Sequence, residues 1–263
     1  MYEFEFTRPT TLADALAVLK EDEEAQALAG GQTLIPALKQ RLAMPSKLVS
    51  LMAIEELRDI RATEGVLSLG GGETHRAIAH DAAEAFPGFA ALAGQIGDAA
   101  VRTRGTIGGS LANNDPSACY PAAVLACGGT IVTDRREIAA DDYFQGMFAT
   151  ALEEGEIITR VNIPIPEVSA YVKFAQPASR FALVGVFVAR FPDGARVGVT
   201  GASEEGVFRW TEAETALSES FTPEALDGLA LPAEGLISDI HGSAGYRAHI
   251  AAVIARRAVA AAH

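Results

Sequence analysis

Apolar and polar positions alternate at the start of the chain and then change period, which predicts strands and helices in alternation over residues 1–51. Residues 2–6 alternate with the period of two that is typical of a half-buried strand. Behind Thr11, apolar residues then recur at the spacing of an amphipathic helix. The pattern therefore predicts the order β-α-β-α-β. The predicted elements are strands at 2–6, 25–29 and 48–51 and helices from Leu12 and over 34–42, capped by Thr11 and Thr33.

The rest of the chain divides at Pro164 and Pro166 into two segments of different pattern. Residues 52–165 mix strand-like and helix-like stretches. Residues 168–263 begin with alternating, β-rich stretches and continue with alanine-rich helices. We therefore predict an α+β fold with a second domain that is a sheet with helices on one face. The expected strands are 66–69, 129–133, 157–163, 170–174, 183–190 and 196–202, and the expected helices are 89–96, 121–126 and 246–262.

Composition narrows the classes of partner. The chain has 263 residues, of which 49% are hydrophobic, so it can build a sizeable core. A net charge of −13 disfavours nucleic acid and anionic membrane surfaces, which both need a basic face. No apolar run approaches the ~20 residues of a membrane span. Because acidic residues stand at the N-terminus where a signal peptide has a basic region, we expect a cytoplasmic protein.

The cysteines and histidines predict no metal centre in this chain. Cys119 and Cys127 are too few for an iron–sulfur cluster or a structural zinc site. The five histidines show no spacing typical of metal ligands. Eight residues along one helix would separate the two thiols by about two turns, so we expect small buried residues rather than a disulfide. Any metal-centred redox chemistry would lie in another chain.

Two loops with paired glycines carry the main chemical signal, Ala29-Gly30-Gly31-Gln32-Thr33 and Thr106-Ile107-Gly108-Gly109-Ser110. Each precedes a stretch that can form a helix. Glycine permits close backbone approach, and successive amide N–H groups in such turns bind phosphate oxygens. A single loop of this kind is typical of a structural turn, whereas two together can hold a diphosphate. Neither matches the dinucleotide or P-loop motif, so a bound nucleotide would need another architecture.

The residues around the second loop suit a ligand with phosphates and hydroxyls. Thr106 and Ser110 supply hydroxyls, Asn113 and Asn114 supply amides, and two nearby arginines, at 102 and 104, are either ligands or surface residues. No serine triad, metal pair or carboxylate dyad stands out, so we predict no catalytic side chain. The chemistry would belong to a bound cofactor.

The two loops, with Val101-Arg102-x-Arg104-Gly105 before the second, closely resemble the FAD-binding medium subunit of molybdenum hydroxylases. These are enzymes of the carbon monoxide dehydrogenase, xanthine dehydrogenase and nicotine dehydrogenase type. The resemblance runs the whole length of the chain. Its further signatures are Arg8-Pro9, Asp14-Ala15-Leu16, Asp142-Tyr143-Phe144, Glu156-Ile157-Ile158, Ile163-Pro164, Tyr171-x-Lys173 and Tyr246-Arg247.

The resemblance implies a fold and a set of FAD contacts. Residues 1–165 would form a FAD-binding domain of the vanillyl-alcohol oxidase (PCMH) type, in α/β subdomains of about 1–54 and 55–165. Residues 168–263 would form the flavoprotein C-terminal domain. Lys173 would lie near the flavin; the alternative is a surface lysine at a strand edge. The implied contacts are Leu28, Ala29, Gly30, Gly31, Gln32, Thr33, Leu34, Ile35, Ile96, Thr106, Ile107, Gly108, Gly109, Ser110, Ile158 and Lys173.

The resemblance also implies partners. A large molybdopterin subunit would oxidise the substrate, and a small 2Fe–2S subunit would pass the electrons to this FAD and on to an external acceptor. The assembly would be a dimer of heterotrimers. No side chain of this chain need act as acid or base. The alternatives are a stand-alone flavin oxidase or dehydrogenase of the same fold and a flavin-free assembly subunit; a nucleotide-binding regulator is disfavoured.

One position departs from the resemblance. Where the family usually has an aspartate that contacts FAD, this chain has Cys119, and a thiol is a poor hydrogen-bond partner for a ribityl hydroxyl. Either Asn114 or Asp115 compensates, or FAD binds more weakly. A backbone cradle around the diphosphate would survive the change, so we expect FAD.

Overall fold

The computed structural model describes residues 1–263, which begin with a small parallel sheet. Its three strands lie in the order first, third, second, and both pairs are parallel. The predicted β-α-β-α-β order is confirmed, although the first strand begins at Glu5 and the second helix ends at Lys39. Thr11 caps its helix by accepting from the amide of Asp14; Thr33 is also the N-cap residue of its helix, as predicted, but its side chain makes no capping bond. The elements are β1 (Glu5–Thr7), α1 (Leu12–Glu21), β2 (Ala25–Leu28), α2 (Leu34–Lys39) and β3 (Lys47–Ser50).

A five-stranded antiparallel sheet, joined by short helices, forms the middle of the chain. The late strand β10 (Ile158–Pro164) lies at its centre, between β5 (Val66–Gly70) and β6 (Thr130–Thr133). The predicted strands and helices of this segment are confirmed within a few residues. The other elements are β4 (Ile60–Thr63), α3 (His75–Asp81), α4 (Pro87–Gly94), α5 (Ala99–Arg102), α6 (Ile107–Asn113), α7 (Tyr120–Ala126), β7 (Glu137–Ala139), α8 (Ala140–Tyr143), and the pair β8 (Phe144–Gly146) and β9 (Ala149–Thr150), with a 3₁₀ turn at Glu55–Leu57.

A four-stranded antiparallel meander follows, with its strands in chain order. Both faces of its second strand are covered, because Val184, Val186 and Val188 face one hydrophobic core while Phe187 and Ala189 face another. The two C-terminal helices cover the first face, and α7 packs against the second. The elements are β11 (Val168–Ala175), β12 (Ala182–Phe191), β13 (Gly194–Ser203), β14 (Gly206–Arg209), α9 (Thr211–Glu219) and α10 (Ala244–Ala261), with a 3₁₀ turn at Pro223–Leu226.

The meander fixes the segment that leads into α7. Thr200 donates from its hydroxyl to the carbonyls of Pro116 and Ala118, at 2.9 and 2.8 Å. The amide of Gly201 also donates to the Pro116 carbonyl, at 2.8 Å. A Cβ at Gly198 would overlap the backbone of Ala122, so helix and strand are in direct backbone contact. These bonds make residues 115–119 a rigid part of the wall of the site described below.

Cys119 and Cys127 flank α7 at its two ends, and both are buried and unpaired. The helix between them has seven residues, a rise of ~10 Å that no disulfide spans. The expectation of small buried cysteines is confirmed. None of the helices is both long and apolar enough to cross a bilayer.

An ion pair between the buried carboxylate of Glu156 and the exposed side chain of Arg136 stabilises the middle sheet. Its carboxylate accepts from the Arg136 guanidinium at 3.1 and 3.0 Å, from the Thr133 hydroxyl at 2.7 Å and from the Glu153 amide at 2.7 Å. Burial alone would raise the pKa of Glu156, but these donors outweigh it and lower the pKa to about 2. The ionised carboxylate is therefore stabilised in the folded state.

We expect this carboxylate to make stability depend on pH. Because the folded pKa lies below the unfolded value of ~4.3, its contribution is full above the unfolded pKa and is lost as pH falls through about 2. Glu156→Gln removes that dependence, so the free energy of unfolding, measured by urea at pH 3 to 6, falls less steeply with acid than in the parent. The control is Glu137→Gln, at an exposed residue without an ion pair. Equal slopes in parent and Glu156→Gln would contradict the assignment.

Candidate functional site

One cavity of about 580 Å³ brings the two glycine loops together. This volume lies within the ~300–1,000 Å³ that is usual for small-molecule sites. Its wall comes from all three parts of the chain: the N-terminal sheet, the middle segment and the β11–β12 connection. These residues, from Gln26 to Phe181, are up to 155 positions apart in the sequence, and the fold makes them neighbours.

Gly30 is required because the first loop touches the backbone directly before the second loop. A Cβ at Gly30 would overlap the carbonyl oxygen of Arg104 and lie 2.6 Å from the Cα of Gly105. Gly31 has a φ of +70°, a left-handed conformation that glycine adopts without strain. Behind it, a Cβ would meet the Ile35 side chain at 2.9 Å. Close packing therefore explains both glycines of the first loop.

The first loop presents free backbone donors to the cavity. The amide N–H groups of residues 29–34 donate to no acceptor within the chain. Six consecutive unsatisfied donors in a turn of this kind form a binding surface for anionic oxygens. The Gln32 side chain donates to the Gly30 carbonyl at 3.2 Å and so stabilises the turn without occupying those donors.

The second loop differs from the prediction, because its amides are already used. Those of Ile107 and Gly108 donate to the carbonyls of Glu73 and Gly71 at 3.0 and 2.9 Å. The Gly109 amide donates to the Thr106 hydroxyl at 3.1 Å, and the Ser110 amide donates to the Thr106 carbonyl at 3.0 Å. The loop therefore closes the wall of the cavity and adds side-chain hydroxyls, whereas the backbone donors come from the first loop.

Lys173 places a fixed cation on the cavity wall. Its ammonium donates to the carbonyls of Gln95 and Arg180 at 2.9 and 2.7 Å and lies 3.5 Å from the sulfur of Cys119. No carboxylate pairs with it. The structure thus favours the cavity over the alternative of a strand-edge surface lysine. Arg102, by contrast, donates to the carbonyls of Ile96 and Gly97 and supports the loop from behind.

The two residues proposed to compensate for Cys119 have different surroundings. Asn114 has a left-handed φ of 42°, is buried, and its side-chain amide donates to the carbonyls of Gly146 and Ala149, both at 2.8 Å. Asp115 lines the cavity and accepts from the Ser117 amide at 2.8 Å. Burial raises the pKa of Asp115, and the Ser117 amide offsets part of this effect. Asp115 is therefore the carboxylate available to a ligand.

Most of the residues that the resemblance implies, or that were proposed to compensate for Cys119, line this cavity. Three do not: Ile35 packs behind Gly31, Ile107 lies in the core, and Asn114 is engaged as described. The cavity also contains residues that the sequence analysis did not assign to the site, notably Gly71, Gly105 and His75. His75 is part of no recognisable sequence motif, so the sequence alone did not point to it. The predicted residues on the wall are Leu28, Ala29, Gly30, Gly31, Gln32, Thr33, Leu34, Ile96, Thr106, Gly108, Gly109, Ser110, Asp115, Ile158 and Lys173.

Comparison with known proteins shows which family and which proteins this chain resembles. The family described as "FAD binding domain in molybdopterin dehydrogenase" matches residues 2–166. The chain is 35% identical to the carbon monoxide dehydrogenase medium chain of Afipia carboxidovorans, over 97% of this chain and 95% of that protein. It is also 35% identical to the nicotine 6-hydroxylase medium subunit of Paenarthrobacter nicotinovorans, over the same shares. The crystal structure of quinoline 2-oxidoreductase from Pseudomonas putida 86 matches with a TM-score of 0.89 at 32% identity, covering 99% of this chain and 96% of that chain.

We expect Gly30→Ala to force the loops apart. The added methyl group overlaps the Arg104 carbonyl, so the free energy of unfolding of the free chain falls by ~1–3 kcal/mol. Gly245→Ala, in α10, is the matched control, because a Cβ there meets nothing within 4 Å; it changes stability by less than ~1 kcal/mol. Urea unfolding compares the two. Equal stability of both variants would show that the loops do not touch.

Proposed function

This chain belongs to the family of FAD binding domains in molybdopterin dehydrogenase, and we propose that it is the FAD-carrying electron-transfer subunit of a molybdenum hydroxylase. The membership confirms the resemblance that the glycine loops predicted. The relatives named above are a medium chain and a medium subunit and match this chain nearly end to end. We infer that a large molybdopterin subunit and a small 2Fe–2S subunit complete the enzyme.

The observation that supports FAD most directly is the row of free amides at residues 29–34. A diphosphate needs several donors converging on its oxygens, and this turn offers them without a neutralising cation. The hydroxyls of Thr106 and Ser110 and the carboxylate of Asp115 supply polar partners along the same wall. The residues present therefore fit an extended ligand with a diphosphate and a chain of hydroxyls.

Bound FAD supplies the electron chemistry, accepting electrons from a donor centre and releasing them to an acceptor. Lys173 contributes a positive charge that favours added negative charge in the cavity. The carbonyls of Gln95 and Arg180 hold its ammonium in place, and no carboxylate pairs with it, so its charge is not compensated within the chain. The chain therefore positions the cofactor and sets its potential.

The same proposal includes the domain boundaries, the assembly and the location of the protein. We place a PCMH-type FAD-binding domain at residues 1–165, with subdomains of about 1–54 and 55–165, and a flavoprotein C-terminal domain at 168–263. The separate sheets of these segments and the family match at 2–166 support this division. By the same resemblance we propose a dimer of heterotrimers that acts in the cytoplasm. A stand-alone oxidase would be reduced by an organic substrate without partner chains.

We expect the purified chain to bind FAD and show a flavin absorption spectrum. Gly31→Ala weakens that binding about tenfold, because it strains a φ of +70° and pushes Ile35, displacing donors worth ~1.5–3 kcal/mol each to a charged ligand. Gly65→Ala is the control, since it carries the same strain, at a φ of +76°, in open space outside the cavity. Isothermal titration measures the dissociation constants. Failure of the parent chain to bind FAD, both alone and with its partners, would contradict the proposal and favour a flavin-free assembly subunit.

We expect Lys173→Met to lower the midpoint potential of bound flavin by on the order of tens of millivolts, because a cation near the reduced cofactor is lost. Spectroelectrochemical titration measures the shift. Lys20→Met, on the exposed face of α1, removes a charge far from the cavity and should leave the potential unchanged. An equal potential in parent and Lys173→Met would place this ammonium away from the flavin.

A further inference from the structure

His75 is a buried side chain on the cavity wall to which neither the motifs nor the family match assigns a task. It opens helix α3, behind the capping residue Thr74, and only 4% of its surface is exposed. Its backbone amide donates to the Gly105 carbonyl at 3.0 Å, which fixes it beside the second glycine loop. The ring lies against Gly105, where a Cβ would come within 2.5 Å of Nε2.

The imidazole of His75 is neutral in the folded chain. Burial, assisted by the nearby Arg102 guanidinium, lowers the pKa of His75 to about 4. A neutral ring carries a single proton, on either Nδ1 or Nε2, and its neighbours decide which nitrogen holds it.

Tyr120 decides the position of that proton. Its hydroxyl lies 3.1 Å from Nδ1 of His75 and has no other partner in the chain. The residue is fully buried, and burial raises the pKa of Tyr120, so the hydroxyl keeps its hydrogen. A buried O–H that donates to nothing is costly, so the hydroxyl donates to Nδ1 and the ring proton lies on Nε2. Stacking on Phe89, with ring centroids 5.4 Å apart, holds the tyrosine in place.

The Nε2–H group has no acceptor within the chain, but protein atoms do not enclose it completely. The fully enclosed side-chain polar atoms without partners are the Tyr171 hydroxyl and Arg247 Nε, and His75 Nε2 is not among them. Because His75 lines the cavity, its free N–H group is reached from the cavity.

We propose that His75 binds FAD by donating a hydrogen bond from Nε2 to one of its acceptor atoms, and that Tyr120 is the positioning residue that holds the ring in the donating tautomer. The inference rests on the proposed function, because it takes FAD as the occupant of the cavity. It adds a neutral, side-chain donor at the second loop, where the backbone amides of Ile107, Gly108 and Gly109 are already engaged.

The tautomer is tested on the full chain with nitrogen-15 histidine. Two-bond proton–nitrogen correlation spectra of the free chain should show His75 protonated at Nε2 and unprotonated at Nδ1, and FAD should shift the Nε2 resonance. Tyr120→Phe removes the donor to Nδ1 and should produce a mixture of tautomers. A proton on Nδ1 in the parent chain would overturn the proposal.

Binding is tested by titrating the variants with FAD. His75→Leu should weaken binding about tenfold, the worth of one hydrogen bond, whereas His75→Gln, which keeps an N–H group near the position of Nε2, should restore most of it. His249→Ala, on the exposed face of α10, is the control. Thermal unfolding of the free variants separates lost binding from lost stability.

The possible results distinguish a failure of the role proposed for His75 from a failure of the proposed function. If the parent binds FAD and folded His75→Leu binds it equally tightly, the role of His75 is wrong while the proposed function stands. If Gln does no better than Leu, the side chain acts by packing and not by donation, and the proposal fails. If the parent binds no FAD, the proposed function itself fails, and this inference fails with it.

Discussion

The backbone contact between the first glycine loop and the segment that leads into the second is the constraint on which the rest of the site depends. Gly30 lies directly on the peptide that joins Arg104 to Gly105, at a separation that leaves no room for a side chain. This contact presses the small parallel sheet against the middle segment and closes one side of the cavity. The meander closes the other side through Thr200 and Lys173. A cavity assembled from three distant parts of the chain needs such a fixed junction.

The two loops look alike in sequence and act differently in the fold. In the first, residues 29–34 leave their amides free, because the chain leaves a parallel strand and turns before the helix begins. In the second, Gly71 and Glu73 take up the amides of Ile107 and Gly108, since the glycine-rich segment after β5 runs alongside. One loop offers donors and the other provides a wall. Paired glycines thus signal close approach, and only the hydrogen-bond partners show whether a ligand or another backbone approaches.

The sequence predicted much of this architecture wherever the pattern was local. The alternation at residues 2–6 and the spacing from Leu12 to Leu19 were enough for the first sheet, and the long apolar strand around Val186 was unmistakable. Short elements such as α3 and β4 were missed, because they are stabilised by tertiary contacts rather than by periodicity. His75 was missed for the same reason, because its role depends on a contact with Tyr120, which lies 45 positions away in the sequence. Resemblance supplied the cofactor, which no pattern of residues could have named.

Amide hydrogen exchange with and without FAD tests most directly whether the first loop supplies free backbone donors while the amides of the second are engaged within the chain. In the free chain, the amides of residues 29–34 should exchange fast and those of 107–110 slowly, because only the second set donates within the chain. Added FAD should protect residues 29–34 strongly and change 107–110 little. Fast exchange at 107–110 in the free chain, or no protection of 29–34 by FAD, would contradict the account.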